Sequence, residues 1–216
     1  MHPNPPEQSH GQLTRADVTV AGYRHDRSTA RAGFASANPS VRASALSALW
    51  RAGALDGETL LRGLHDESPA VNRRAIELSA QTLRDVHAID EALLDRLEGD
   101  NDAVAEVAAW ALGERHEEAV SSSLVERVTA SLSDTVMNHH DALTREAAVA
   151  ALGSIGQPGG LAAVLHATTD KATVRRRAVL ALVAFEGDEV VAALHRARSD
   201  RDWQVRQAAE DLGDPE

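Results

Sequence analysis

The sequence predicts an all-α protein built as an α-solenoid of about six stacked helix pairs. Three observations carry this expectation. A short pattern recurs six times along the 216 residues, its internal spacing is helical, and an amphipathic stretch precedes each copy. The pattern is Val-Arg-x-x-Ala-x-x-Ala-Leu. It begins at Val41, Val71, Val104, Thr144, Val174 and Val205, so the starts lie 30, 33, 40, 30 and 31 residues apart. A period near 30 holds two helices of ~12 residues and two turns.

Within a copy, positions one, five, eight and nine share one face of a 3.6-residue helix. Ala dominates that face, as in Ala45, Ala48, Ala75, Ala108, Ala111, Ala148, Ala151, Ala178, Ala181 and Ala209. Ala is the best helix former, and its small side chain lets neighbouring helices approach closely. We call this second helix of each pair B and the preceding one A. The A stretches include Thr59-Leu60-Leu61-x-x-Leu64, Ala92-Leu93-Leu94-x-x-Leu97, Leu161-x-x-Val164-Leu165 and Val190-Val191-x-x-Leu194. The A–B turns carry helix-start signals: Asp66-Glu67-Ser68-Pro69, Asp100-Asn101-Asp102, Asp170-Lys171 and Asp200-Arg201-Asp202. Residues 1–22, with Pro3, Pro5 and Pro6 and no periodicity, are expected to form a flexible tail, and 23–216 the solenoid. Tyr23 to Ala37 reads as the first A helix. The 40-residue interval holds extra sequence, roughly Glu117 to Asp141, expected to lengthen the fourth A helix and add a loop from Ser133 to His140.

Composition excludes several function classes. There are 33 acidic against 22 basic residues, a net charge of −11, with 40 Ala, 21 Arg and the single Lys171. The acid excess argues against bulk binding of nucleic acid or anionic lipid. Cysteine is absent, which excludes disulfides, a thiol nucleophile and Cys-ligated metal. No stretch reads as a membrane span, and Met1 to His10 lacks the apolar core of a secretory signal. The expectation is a soluble cytoplasmic protein, and the Ala- and Arg-rich, Lys-poor composition suggests a high-GC bacterium.

Arg201-Asp202-Trp203-Gln204-Val205-Arg206-Gln207-Ala208-Ala209 resembles the HEAT repeat in its short bacterial, phycobilisome-lyase-type form. So does Thr144-Arg145-Glu146-Ala147-Ala148-Val149-Ala150-Ala151-Leu152-Gly153. The resemblance covers about Arg27 to Gly213 and implies a right-handed solenoid. It implies that Arg42, Arg145, Arg175 and Arg206, at the second position of their copies, reach acids of the intra-repeat turn, here Asp141, Asp170 and Asp200, as a structural ladder. It also implies that the B helices line a concave groove.

On that basis the third, seventh and tenth positions face the groove. The partner-binding residues expected there are Trp110, Glu106, Glu146, Arg73, Glu77 and Arg176, with Arg74 and Arg177 flanking them. Trp and Arg are the residue types that dominate interfaces. Trp50 is expected to pack at the end of the first B helix and Trp203 against the previous repeat.

No catalytic constellation stands out, so the expected function is a non-enzymatic scaffold or adaptor. Its partner would be a protein offering a basic or apolar segment, with no membrane and no nucleic acid. Two alternatives follow from resemblance: a tetrapyrrole-lyase-like chaperone, and a DNA alkylation-repair-like glycosylase, the latter on Trp110 and Glu114. Deoxyhypusine hydroxylases of this repeat type hold di-iron through His-Glu pairs at positions three and four. Here those positions lack such a pair, and His116-Glu117 reads as a loop. His65, His166 and His195 sit at A-helix ends, where a cation suits the dipole. No metal or other cofactor is expected. The best remaining ligand group, His139-His140-Asp141, needs a further ligand from elsewhere.

Overall fold

The computed structural model describes residues 12–82, 86–116 and 122–213. Among these, the α-helices are α1 (Arg15–Tyr23), α2 (Arg27–Phe34), α3 (Pro39–Arg51), α4 (Gly57–Leu64), α5 (Pro69–Ser79), α6 (Val86–Leu97), α7 (Asp102–Arg115), α8 (Ser123–Asn138), α9 (Ala142–Ile155), α10 (Leu161–Ala167), α11 (Ala172–Ala181), α12 (Asp188–Ala197) and α13 (Trp203–Asp211). Short 3₁₀ turns cover Pro158–Gly160 and Leu182–Ala184, and no strand occurs among the described residues.

The helix starts are set by local chemistry. Asn38, Asp56, Asn101, Ser122, Asp141 and Asp202 each accept a backbone N–H of the helix they precede. These bonds satisfy donors that the first turn leaves free, each cap contributing about 1 kcal/mol. Pro39 and Pro69 occupy first helical positions, where no N–H is needed. Gly156 ends α9 in the left-handed conformation, at φ 67°.

From α2 to α13 the helices form six A–B pairs in two layers. The B helices α3, α5, α7, α9, α11 and α13 pack on one another in order, and α4, α6, α8 and α10 follow one another in the A layer. The core lies between the layers, filled by buried Leu46, Leu49, Leu60, Leu64, Ile76, Leu78, Ile89, Leu93, Leu97, Leu112, Leu132 and Leu152. Each such side chain contributes about 1.5–3 kcal/mol.

Two expectations change at this point. Residues 15–22, read as tail, belong with Tyr23 to α1, which packs on α3 with Val18 fully buried. Thr14 and Asp17 close a capping box at its start. The span from Tyr23 to Ala37 is therefore not one helix: Asp26 restarts the chain by accepting from Ser28 and Thr29, bonds that push its pKa down to about 2. Helix α1 packs on α3 and α2, alongside the B layer. Residues 1–11 lie outside the described residues. The second change concerns the long interval. Helix α8 is indeed lengthened, to 16 residues, but 133–138 belong to it rather than to a loop. The buried stripe Val125, Val128, Leu132 and Val136 runs through that stretch, and Ser133 and Thr135 bond carbonyls one turn back.

The B helices touch backbone to backbone at three places. A Cβ placed on Gly22 would lie 2.8 Å from the Ala48 Cα, one on Gly113 2.7 Å from the Ala151 Cα, and one on Gly153 2.9 Å from the Ala181 Cα. For Gly113 and Gly153 this is one contact repeated, the tenth position of one B helix against the eighth position of the next; Gly22 of α1 meets the eighth position of α3 in the same way. Gly113 and Gly153, read as groove positions, thus also lie against the neighbouring helix.

The arginine ladder exists, but its rungs join successive repeats. Arg42 donates through Nε and Nη2 to Asp66 at 2.8 and 2.7 Å, Arg145 to Asp170 at 2.6 and 2.8 Å, and Arg175 to Asp200 at 2.9 and 2.8 Å. Each guanidinium also bonds carbonyls of its own A–B turn: Ser36 and Ala37, His139 and His140, and Asp170. Asp141 is not a rung; its side chain caps α9 by accepting from Thr144 N–H. Among the described residues Arg206 makes no such rung; its Nη1 bonds the Asp200 carbonyl. Arg145 holds the Asp170 carboxyl below the usual carboxylate range, and Arg175 does the same for Asp200. Asn72 keeps the carbonyl half of the role, donating to Gly63, Leu64 and Asp66 oxygens. Ala105 keeps neither.

Two outcomes follow. Gly113→Ala and Gly153→Ala should each lower the urea midpoint by an equivalent of about 1–2 kcal/mol, because forced helix separation exceeds the gain in helix propensity. Asp170→Asn should cost about 1–3 kcal/mol at neutral pH. A depressed carboxylate stabilises above its unfolded pKa and loses that contribution as pH falls through the folded value. The gap between wild type and Asp170→Asn should therefore narrow below about pH 4, as urea midpoints taken against pH would record.

Candidate functional site

A cleft lies on the B layer. Glu106, Val107, Trp110, Gly113 and Glu114 of α7 form one wall, and Leu143, Glu146, Ala147, Ala150, Ala151 and Ser154 of α9 the other. Arg177 of α11 completes it, and the volume is about 550 Å³. No A helix contributes. The repeat places these side chains: with Val104, Ala108, Ala111 and Leu112 buried, α7 must turn Glu106, Trp110 and Glu114 outward along one stripe.

Trp110 is 41% exposed and Leu143 57%, an apolar pair in a wall otherwise made of small and acidic residues. Three carboxylates, Glu106, Glu114 and Glu146, face a single cation, Arg177, whose Nη2 is 3.6 Å from Glu146. The cleft is therefore acidic, with an aromatic surface beside the charges. Such a surface attracts cations and opposes phosphate.

Of the residues expected to bind a partner, Glu106, Trp110 and Glu146 come together here. Arg73, Glu77 and Arg176 do not line this cleft. Glu77 instead pairs with Arg74 at 2.7 Å, and Arg74 also donates to the Ser47 hydroxyl, so those charges are spent between α3 and α5. Arg73 and Arg176 are exposed. On α11 the fourth position faces the cleft rather than the third, so Arg177 takes the place expected for Arg176. Leu143 was not singled out, because it lies before the repeat's first position; its signal is an apolar residue in the first turn of a B helix. Trp50, expected to pack at the end of the first B helix, is 37% exposed there and lines a small pocket with Leu55, Leu60 and Ile89. Trp203 does not pack on the previous repeat: it is the first residue of α13 and is 63% exposed.

The histidines divide. His65 ends α4 with Nδ1 2.8 Å from the Leu61 carbonyl, and His166 and His195 lie in the last turns of α10 and α12. His116 is not in a free loop. It is the buried C-cap of α7, with Nε2 2.7 Å from Asp90, which also accepts from Arg115. Arg115 Nη1 in turn donates to the carbonyls of Ser79 and Thr82. This buried group ties the end of α5 to α6 and α7. It was legible in outline: Asp90 lies three, four and seven residues before Leu93, Leu94 and Leu97, on the buried face of α6. Glu117 lies outside the described residues. A separate group forms at the edge of the α7–α9 junction, where Asp102, His139 and His140 present their ligand atoms within 4.8 Å of one another.

Comparison with known proteins agrees with this architecture. The sequence pattern of HEAT repeats matches residues 89–173 and 129–212. Among solved structures, an engineered protein superposes with a TM-score of 0.60 at 17% identity, covering 86% of this chain and 94% of its own. A designed armadillo repeat protein gives 0.54 at 20% identity, over 96% and 93%. The CpcE–CpcF complex of phycocyanin lyase from Nostoc sp. PCC7120 gives 0.56 at 18% identity, over 97% and 79%. At such identities the likeness is one of fold. A search of curated proteins finds no match. Among the described residues no helix is long and apolar enough to cross a membrane.

Because their exposed atoms face the cleft, Trp110→Ala and Leu143→Ala should each change stability by less than about 1 kcal/mol. Thermal unfolding of the two variants checks that cleft substitutions leave the fold in place.

Proposed function

The chain belongs to the HEAT-repeat family, and from that premise we propose that it is a non-enzymatic interaction scaffold whose α7–α9 cleft receives a basic segment of a protein partner. The observation that carries this reading is the exposed Trp110 beside Glu106, Glu114 and Glu146 in one cleft. An Arg or Lys side chain entering there meets the ring face and a carboxylate together. Such cation–π contacts contribute about 0.5–2 kcal/mol, more as water is excluded. Leu143 offers apolar surface for the neighbouring residue of the same segment. The net charge of −11 steers a basic partner toward the protein at low salt. The cleft volume of about 550 Å³ suits one or two side chains rather than a whole helix.

A phosphate ligand fits this site poorly. Tight nucleic-acid binding releases counterions through several cationic contacts, and three carboxylates against Arg177 oppose that. The reading therefore favours a protein segment over a nucleic acid, and a scaffold role over the glycosylase alternative.

The test is fluorescence anisotropy with labelled Arg- and Lys-rich peptides, using wild type, Trp110→Ala and Glu106→Arg/Glu146→Arg. Expected results are binding that weakens with salt, a loss of about tenfold or more in Trp110→Ala, and no binding by the charge-reversed protein. Equal binding by all three would move the working surface elsewhere.

A further inference from the structure

We propose that Asp102, His139 and His140 form a binding site for a divalent transition-metal ion, with zinc the best match to its ligands, bridging the third and fourth helix pairs. The inference is independent of the partner-binding reading of the cleft. It begins from an irregularity in the ladder. Wherever a rung exists, an arginine at the second position of one B helix reaches an aspartate in the next A–B turn. At the junction of α7 with α9 that second position is Ala105, so no guanidinium crosses. On the other side His139 stands five residues before Thr144, as Asp66 stands before Val71 and Asp200 before Val205. The rung acid is replaced by an imidazole, and the rung cation by nothing.

The side chains around this gap converge. Asp102, the first residue of α7, lies with Oδ1 3.2 Å from His140 Nε2 and 4.0 Å from His139 Nε2. The two rings stack with centroids 4.8 Å apart and planes 21° from parallel, so both Nε2 atoms approach the same carboxylate oxygen. Around a tetrahedral zinc with bonds of about 2.0–2.2 Å, donor atoms lie about 3.3 Å apart. Closing the group onto an ion thus takes shifts of about an ångström. His140 can supply them, since its side chain is 78% exposed. Two imidazoles with one carboxylate suit zinc and its neighbours, whereas magnesium and calcium prefer oxygen alone. Three protein ligands leave a coordination position for water or for a partner's side chain.

The turn that carries both histidines is held in place. Arg145 Nη1 donates to the carbonyls of His139 and His140 at 2.8 and 3.0 Å, while its Nε and Nη2 grip Asp170. The ladder rung below the gap therefore positions the ligands above it. One contact must yield. The Asp141 N–H donates to His139 Nδ1 at 3.2 Å, which keeps that ring's proton on Nε2. Coordination through Nε2 shifts the proton to Nδ1 and opens this contact, leaving the ring neutral overall. A bound ion would then act as the missing rung, placing positive charge between the repeats where the others use arginine. Leu143, three residues beyond His140, lines the cleft, so the ion would sit beside that surface.

The experiment is a zinc titration of the full chain at neutral pH, in competition with a chromophoric chelator. It compares wild type with Asp102→Asn, His140→Ala and, as a control, His87→Ala, which removes the exposed histidine beside Glu91. The proposal expects one zinc per chain at micromolar affinity and a loss of at least about tenfold in the first two variants but not in the control. Saturating zinc should raise the melting temperature of wild type by about 5 °C or more, and should not do so for Asp102→Asn. Imidazole nitrogen spectra should show both Nε2 signals shifting, together with the Asp141 amide. Absence of binding below millimolar zinc would overturn the site. So would zinc binding unchanged in Asp102→Asn and His140→Ala, since the ion would then be held by other histidines. Unchanged far-ultraviolet circular dichroism in the variants separates loss of ligand from loss of fold.

Discussion

The structure depends on how closely successive B helices can approach. At Gly22 with Ala48, Gly113 with Ala151 and Gly153 with Ala181, the missing Cβ lets two helix backbones meet. The repeat supplies an alanine at the receiving position in most copies, so the remaining variable is the residue at the tenth position. Where it is glycine the helices touch. Where it is Trp50 or Val183, a side chain stands between them or turns to the surface. The cleft grows out of this contact, because Gly113 and Ala151 are both in its wall. Close packing of α7 on α9 brings the acids and Trp110 of one helix opposite Leu143 and Glu146 of the other.

The second constraint is polar and runs along the A–B turns. Each ladder arginine satisfies carbonyls at the turn of its own pair while its fork holds an aspartate of the next. It thus closes one turn and orients the next repeat with a single side chain. Ion pairs of this kind specify geometry more than they add net stability, since desolvation offsets much of the attraction. The pattern weakens in the middle of the chain, where Asn72 keeps only the carbonyl bonds and Ala105 keeps none. That region uses other means. Buried Asp90, Arg115 and His116 tie α5, α6 and α7 together, and α8 is the longest helix of the A layer. The interrupted segment is also where the α7–α9 cleft and the Asp102–His139–His140 group lie. In a solenoid whose repeats are otherwise interchangeable, departures from the repeat mark the positions free to serve something other than stacking.

Much of the fold was legible because a repeat states its pattern several times. Val41, Ala45, Ala48 and Leu49 recur with helical spacing, so each core face was visible and the six pairs could be counted. The misreadings have physical causes. Helix α1 was hidden by the proline-rich sequence upstream and by its lack of the repeat pattern, although Leu13-Thr14-Arg15-Ala16-Asp17 carries a capping-box start. The end of α8 was hidden because its polar residues, Ser131, Ser133 and Asp134, resemble a loop; the apolar stripe through Leu132 and Val136 decides for helix. Of the cleft, Glu106, Trp110 and Glu146 followed from their repeat positions. Arg177 rather than Arg176 depended on the angle at which α11 meets α9, and periodicity alone carries no information on that angle.

By itself the sequence determined the period, the helical faces, the caps and the small residues that let layers form, because these depend on neighbours within one helix turn. Only the tertiary structure decided which charges meet. The rungs join Arg42 to Asp66, Arg145 to Asp170 and Arg175 to Asp200, 24 or 25 residues apart, and Asp102 reaches His139 and His140 across the longer interval of the third and fourth copies. Side chains separated by 24 residues or more are brought together by the stacking of whole helices, and local spacing cannot tell an acid in the same turn from one in the next.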